Sequence, residues 1–212
     1  MVKVMSAKTH PQKFISVDPS KCIGCGICEY ACAVEHDVGT WNPIRARIRV
    51  VRMAPVFNFA LTCRGCQDAK CVKACPERAI TQSENTGLLI IDEAKCKGCD
   101  WCVQACDHGG ITIQSESGKA IACNLCDGEP QCKEACPEEA LEVVESDEAA
   151  DKRFNEALGK LPAQSEQLAA TVKKKDWKPL LAAAEKRSEK ITDKLDALNR
   201  KALAKKAQAE KQ

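Results

Sequence analysis

Sixteen cysteines fall into four groups of four. Cys22, Cys25, Cys28 and Cys32 are spaced C-x2-C-x2-C-x3-C. Cys63, Cys66, Cys71 and Cys75 form the second group, Cys96, Cys99, Cys102 and Cys106 the third, and Cys123, Cys126, Cys132 and Cys136 the fourth. Each iron of a [4Fe–4S] cube takes one external ligand and prefers a soft thiolate. Two-residue spacers let consecutive thiolates reach adjacent corners, while the last cysteine of a group lies too far along to join them. The arithmetic closes, because sixteen thiolates fill the corners of four cubes and leave no iron open. A cube that acts as a Lewis acid or radical initiator needs an open iron, and the C-x3-C-x2-C triad of radical enzymes is absent. No Ser/His/Asp set, phosphate loop or dinucleotide fingerprint appears either. The expected chemistry is one-electron transfer, with substrate conversion elsewhere and no catalytic residue in this chain.

Zinc and disulfides are the competing uses of so many thiols. Zinc ribbons place two C-x2-C pairs at long separation. Here four cysteines crowd into each group, and the second and fourth groups end in Cys-Pro. Disulfides need an oxidising compartment. The leading residues MVKVMSAKTHPQKF hold no signal-like apolar run and no twin arginine. No stretch approaches the length of a membrane span. The expectation is a cytoplasmic protein with reduced thiols that bind metal.

Other residues near the cysteines carry weaker signals. Trp101, between Cys99 and Cys102, is expected to shield a cluster from water. His36 and His108 follow the first and third groups; a surface position is expected, the alternative being to tune a cluster. Arg45, Arg47, Arg49 and Arg52 are expected on a solvated strand face, the alternative being a docking patch.

The elements that must position the cysteines are short. KFISV (Lys13–Val17) alternates as a strand, Asp18-Pro19-Ser20 makes a turn, and a helix is expected from Cys28 to about Glu35. Gly24 and Gly26 let backbone amides approach sulfur. Residues 37–62 link the first two groups through a strand from Arg45 to Arg52, a break at Pro55, and a second strand Val56–Leu61. RAITQ and LLIID flank the polar turn SENTG and predict a hairpin, and Ile111–Gln114 predicts another strand with a turn at Ser115–Gly118. EEALEVVE closes this region as a helical turn or a strand.

From about Asp147 cysteine vanishes, and Ala, Lys, Glu and Leu predict helices. Phe154, Leu158, Leu161, Ser165, Leu168 and Val172 step by four and three, with Pro162 expected to split the run. Asp176 is expected as an N-cap with Pro179 in the first turn. Trp177, Leu181, Ala184, Ser188, Ile191, Leu195, Leu198 and Ala202 continue a heptad-like seam. The seam either folds back on the protein's own core or packs on another subunit, and the second is favoured because such a helix needs a partner for its apolar face.

Charge divides the chain the same way. Residues 1–150 hold 16 Lys and Arg against 21 Asp and Glu, whereas residues 151–212 hold 16 against 9. Thiolate-bound cubes would make the front half more acidic still. That half does not suit nucleic acid, and the basic tail lacks interleaved aromatic residues for stacking on bases.

At CIGCGICEYAC, CRGCQDAKCVKACPERAI, GLLIIDEAKCKGCDWCVQAC and CNLCDGEPQCKEACPEEAL the chain resembles the four-cluster, ferredoxin-like iron–sulfur subunits of multi-subunit oxidoreductases. These serve molybdenum and tungsten enzymes (formate dehydrogenases, dimethyl-sulfoxide-reductase-type enzymes, aldehyde oxidoreductases), some hydrogenases and carbon monoxide dehydrogenases. The resemblance covers roughly Phe14 to Glu145. It implies an α+β fold in which one two-cluster ferredoxin module (57–114) is inserted in another to make a core at 13–146; the leader at 1–12 and the helical arm at 147–212 are read from composition and lie outside the resemblance. It also implies four [4Fe–4S] clusters whose groups exchange their last ligands. Cys22, Cys25, Cys28 and Cys136 would hold one cluster, and Cys32, Cys123, Cys126 and Cys132 a second. Cys63, Cys66, Cys71 and Cys106 would hold a third, and Cys75, Cys96, Cys99 and Cys102 a fourth.

The implied partner is a catalytic subunit of the tungsten- or molybdenum-pterin type, oxidising aldehyde or formate, or else a flavin or hydrogenase subunit. Self-association into oligomers or filaments through 147–212 and a free polyferredoxin shuttle are the further alternatives. Two departures from the pattern concern loop shape. Ala33 and Asp107 stand where proline follows the last cysteine, and the second and fourth groups widen their middle spacers to four and five residues.

Overall fold

In the computed structural model, residues 10–37, 42–54 and 57–211 are described. The cysteine-bearing part mixes short helices with small sheets, an α+β arrangement. Its strands are β1 (Phe14–Val17), β2 (Arg49–Ala54), β3 (Phe57–Leu61), β4 (Ile80–Gln82), β5 (Leu89–Ile91), β6 (Ile111–Ile113), β7 (Ala120–Ala122) and β8 (Leu141–Val144). They form four two-stranded antiparallel sheets, β1–β8, β2–β3, β4–β5 and β6–β7. β1 and β8 join the two ends of the cysteine region, with Phe14 opposite Val144 and Val17 opposite Leu141. EEALEVVE is therefore a closing strand. β4 and β5 form the hairpin that the SENTG turn predicts.

Each cysteine group feeds one short helix. These are α1 (Ile27–His36), α2 (Lys70–Lys73), α3 (Trp101–Gln104) and α4 (Gln131–Glu134). α1 packs on α4, and α2 on α3. The core between them is built from small side chains and sulfur. Ala46, Ala79, Ala120, Ala140, Ile48, Ile80, Ile111 and Leu141 are buried together with Cys32, Cys63, Cys71, Cys96, Cys102, Cys123 and Cys132.

The link between the first two groups differs from expectation. Pro43–Arg45 is a 3-10 turn, opened by Asn42, whose side chain accepts from the Ile44 amide at 3.0 Å, so the strand starts only at Arg49. The expected break at Pro55 and strand start at Val56 lie outside the described residues, as does most of the leader.

The arm is two long helices, α5 (Asp147–Lys173) and α6 (Lys178–Ala209). Ser146 caps α5, its hydroxyl accepting from the Ala149 amide at 3.1 Å. α5 does not divide at Pro162. One intrahelical bond is forgone on an exposed stretch where water can take up the freed carbonyl. Nor does Asp176 cap α6. Lys175 takes a left-handed φ of 54°, its amide donates to Val172 O and the Asp176 amide to Thr171 O. That pair of bonds closes the end of α5, and α6 begins at Lys178 behind Trp177.

Both helices dock at one end and stand clear at the other. The start of α5 is pinned by buried Ala150 and Ala157, by Phe154 edge-on to Phe57 and Phe59 at 6.4 and 6.5 Å, and by Arg64 pairing with Asp147 at 3.2 Å. α6 returns through Ile191, Leu195, Leu198 and Ala202; the first three pack with Ile27, Tyr30, Ala31 and Ala135. That half of the seam folds back on its own core, against the favoured expectation. The distal half does not, since Leu168, Val172, Trp177 and Leu181 are 39–61% exposed. Among the described residues no helix is long and apolar enough to cross a membrane.

Candidate iron–sulfur sites

The cysteine loops repeat one backbone design. Gly24, Gly65 and Gly98, each two residues after the first cysteine of its group, have φ between +59° and +69°. At Gly98 a Cβ would also sit 2.2 Å from the Gly118 carbonyl oxygen, so only hydrogen fits there. The fourth group puts Leu125 at this position with φ 55°, followed by Cys126 and Asp127 at 49° and 56°.

The last cysteines share a second design. Cys75, Cys106 and Cys136 each accept at sulfur, at 3.3 Å, from the amide four residues on, of Ala79, Gly110 and Ala140. The residue before each of those amides is left-handed: Arg78, Gly109 and Glu139. A strand follows at once. Asp107 in place of proline leaves this turn unchanged. Ala33 does not, because α1 runs on past Cys32 to His36. Cys32 instead accepts from the Arg47 amide at 3.2 Å, a donor from the linking segment.

The sulfurs gather as follows. Cys22, Cys25, Cys28 and Cys136 line one void beside Gly24, Val50, Ala60 and Leu141. Cys63, Cys66, Cys71 and Cys106 line another beside Ala69, Leu89, Gly110 and Ile111. Burial pushes the Cys123 thiol up to about 12, with the charges of Cys32 and Cys126 adding to it. Burial raises Cys132 too, followed by Cys123, Cys32 and Cys126, so these four are neighbours. Cys102 is raised by burial and then by Cys96 and Cys75. Cys99 is exposed.

Neighbouring sets also touch. Burial and then the charge of Cys132 raise Cys28 well up, and burial with Cys123 among its charged neighbours raises Cys63 to about 12. Cys71 and Cys75 flank one helical turn, Cys102 and Cys106 another, and those two helices pack together. The four sets thus succeed one another in a row. Cys25, in the set at one end, is exposed, as is Cys99 in the loop of Cys96 and Cys102, whereas neither inner set has an exposed member.

The arrangement fits clusters. Four thiolates cannot share an apolar void without cationic metal to neutralise them. All sixteen cysteines are free of disulfides. Among the described residues no three His, Cys, Asp or Glu side chains converge on a point that would hold a single ion. The lining of the two voids is that of a cage around a multi-atom group.

Flanking residues correct several expectations. Trp101 is 57% exposed. His36 is half-buried, its Nε2 3.8 Å from Cys126 Sγ, and burial followed by the Arg47 charge lowers its pKa to about 4. His108 is half-buried and lines the void of Cys106. Of the four arginines Arg52 is exposed and the other three are half-buried. Arg45 bridges Asp37 and Glu116, Arg49 Nη1 donates to Pro43 O at 2.7 Å, and Arg52 Nε donates to Gly24 O at 2.6 Å. The Arg47 amide and the left-handed Leu125 carry no side-chain signal that spacing would reveal.

Comparison with known proteins gives a consistent set. Residues 54–146 match a family model described as a 4Fe-4S dicluster domain, and residues 14–38 one described as a 4Fe-4S binding domain. The chain is 39% identical over 143 residues to the polyferredoxin-like subunit of an aliphatic sulfonate oxidoreductase from Pyrococcus furiosus, covering 66% of this chain and 82% of that one. It is 39% identical over 134 residues to the beta subunit of an NADH-dependent phenylglyoxylate dehydrogenase from Aromatoleum evansii, 61% of this chain but 30% of the relative. It is 33% identical over 150 residues to the thiosulfate reductase electron transfer subunit PhsB of Salmonella typhi, 65% and 78% of the two chains. Among solved structures, a chain of the BamBC active site complex of benzoyl coenzyme A reductase aligns at a TM-score of 0.39 and 27% identity, over 76% of this chain and 96% of that one.

Proposed function

Because the chain belongs to the family of 4Fe-4S ferredoxin-like electron-transfer subunits of oxidoreductases, we propose that it is a four-cluster wire joining a catalytic subunit to a second redox partner. When bound, each [4Fe–4S] cluster takes up and returns one electron. The first cluster is held by Cys22, Cys25, Cys28 and Cys136, and the second by Cys32, Cys123, Cys126 and Cys132. The third is held by Cys63, Cys66, Cys71 and Cys106, and the fourth by Cys75, Cys96, Cys99 and Cys102. The Ala79, Gly110, Ala140 and Arg47 amides stabilise thiolate charge at the exchanged cysteines.

The observation that carries this reading is the row of four cysteine sets with an exposed cysteine only at its two ends. Buried inner sets keep water away, while Cys25 and Cys99 mark the ports where electrons enter and leave. Bound iron would stabilise the core, and unpaired thiols suit a reducing, cytoplasmic setting. The catalytic partner is a tungsten- or molybdenum-pterin subunit of the aldehyde- or formate-oxidising type, on the resemblance. The relatives' names point more broadly to partners acting on sulfonates, 2-oxo acids or thiosulfate.

The exposed Leu168, Val172, Trp177 and Leu181 support a second element of the proposal, that the distal arm packs on another subunit or a further copy of this chain. One experiment tests both. Anaerobic purification from the native source should yield about sixteen irons per chain together with a large subunit. Far less iron, or zinc instead, overturns the cluster reading. A chain lacking 159–190, with the remaining helix ends rejoined by a short linker, should keep its iron and lose its assembly state. Unchanged assembly overturns the role of the arm.

A further inference from the structure

We propose, resting on the cluster reading above, that helix α6 raises the reduction potential of one inner cluster, the one held by Cys32, Cys123, Cys126 and Cys132, through Lys201 and Lys205. The arm is then an electrostatic component of the wire as well as a packing surface.

Two lysines of α6 reach this set. α1 carries Cys32 in its last turn and ends at His36, whose Nε2 lies 3.8 Å from Cys126 Sγ. α6 clamps that end. Lys201 Nζ donates to Glu35 Oε2 at 2.6 Å and to Gln131 Oε1 at 2.7 Å, tying α1 to the helix that carries Cys132. Lys205 Nζ lies 3.1 Å from Glu35 Oε2 and donates to the Glu35 and Val34 carbonyls at 3.0 and 3.4 Å. Leu198, partly buried Leu195 and Ile191, and a hydrogen bond of 2.8 Å from the Tyr30 hydroxyl to Asn199 hold the helix in register.

Arg47 adds a third cation through the segment whose amide serves Cys32. Against these stand the carboxylates of Glu35 and Asp127. Three cations face two anions around this set. Among the described residues, the arm's other ion pairs at cysteine loops are Arg187 with Glu138, 3.9 Å apart beside Cys136, and Arg64 with Asp147 and Asp151, where the arm contributes negative charge.

A cluster gains negative charge on reduction, so nearby cations favour its reduced form, and a partly buried position lets the field act with little screening. The electron balance is simple. A neighbouring cluster is oxidised by one electron as this one is reduced by one, with no other reactant. The raised cluster becomes the resting place of an electron between the two ports.

The test uses the full-length chain, loaded anaerobically, in a redox titration followed by electron paramagnetic resonance with iron counted in the same samples. In K201Q/K205Q, which leaves Glu35 uncompensated, one of the four midpoints should fall, with three unmoved and the iron unchanged. E35Q should move the same midpoint upward. K201R should leave it in place, as should K186Q on the exposed part of α6. Four unmoved midpoints at full iron overturn the proposal. So does a uniform shift of all four, or iron loss without a selective shift, since either marks a merely structural clamp. A low iron count in the unaltered chain overturns the cluster reading itself, and is told apart by that count.

Discussion

Leu125 stands where the other three groups use glycine, and it keeps glycine's backbone conformation at φ 55°. A left-handed L-residue costs about 1–2 kcal/mol. Leu125 is 6% exposed, and burying such a side chain returns about 1.5–3 kcal/mol, so burial outweighs the strain. The usual ranking of substitutions should therefore invert. Leu125→Ala keeps the strain and loses the packing, for about 2–4 kcal/mol of destabilisation. Leu125→Gly loses the packing but sheds the strain, and should be milder by about 0.5–1 kcal/mol. Anaerobic unfolding of both variants checks the order, and a more damaging glycine refutes it. The four cysteine groups were legible because side-chain identity and spacing are written in the chain. Leu125's conformation and the Arg47 amide were not, because both are properties of backbone, and no residue type announces them.

At the level of elements, the hairpins were readable where alternation met a polar turn, as in RAITQ-SENTG-LLIID. The arm was readable as helix but not as geometry. Its 4-3 spacing is the same in the half that docks and the half that does not, so pattern alone cannot say which surface meets the core. Docking is decided by complementary small residues on α1 and α4, Ala31 and Ala135, and by Glu35.

That carboxylate gives a pH prediction. Burial would raise its pKa, but hydrogen bonds from Lys201 and Lys205 outweigh it and hold the carboxyl below its ordinary 4.5. The clamp is thus fully present above pH 4.5 and is lost as pH falls through the depressed folded value. Hydrogen exchange of α6 amides between Ile191 and Lys205 should accelerate below that pH. In E35Q this acid-dependent step should be missing, and its persistence would point to another carboxylate.

For the whole molecule, the cysteine region has too little apolar bulk to hold itself closed. Its buried set is largely alanine and sulfur, while α5 and α6 are long, Ala- and Lys-rich helices with local bonding of their own. Removing iron with a chelator should therefore act unevenly. Amides of β1, β8 and the hairpins should lose exchange protection together, while far-UV helicity falls by much less. Retained protection in the hairpins after iron removal would mean that packing alone holds the core.

The β1–β8 pairing sets a timetable for biosynthesis. β1 is synthesised roughly 120 residues before its partner strand, a delay of about 6–25 s at ordinary elongation rates. Throughout that interval β1 lacks the strand that satisfies its backbone hydrogen bonds. Closure of the first sheet must wait for translation to pass Val144, so a strand made at the start of the chain takes its place only after the whole cysteine region has been made.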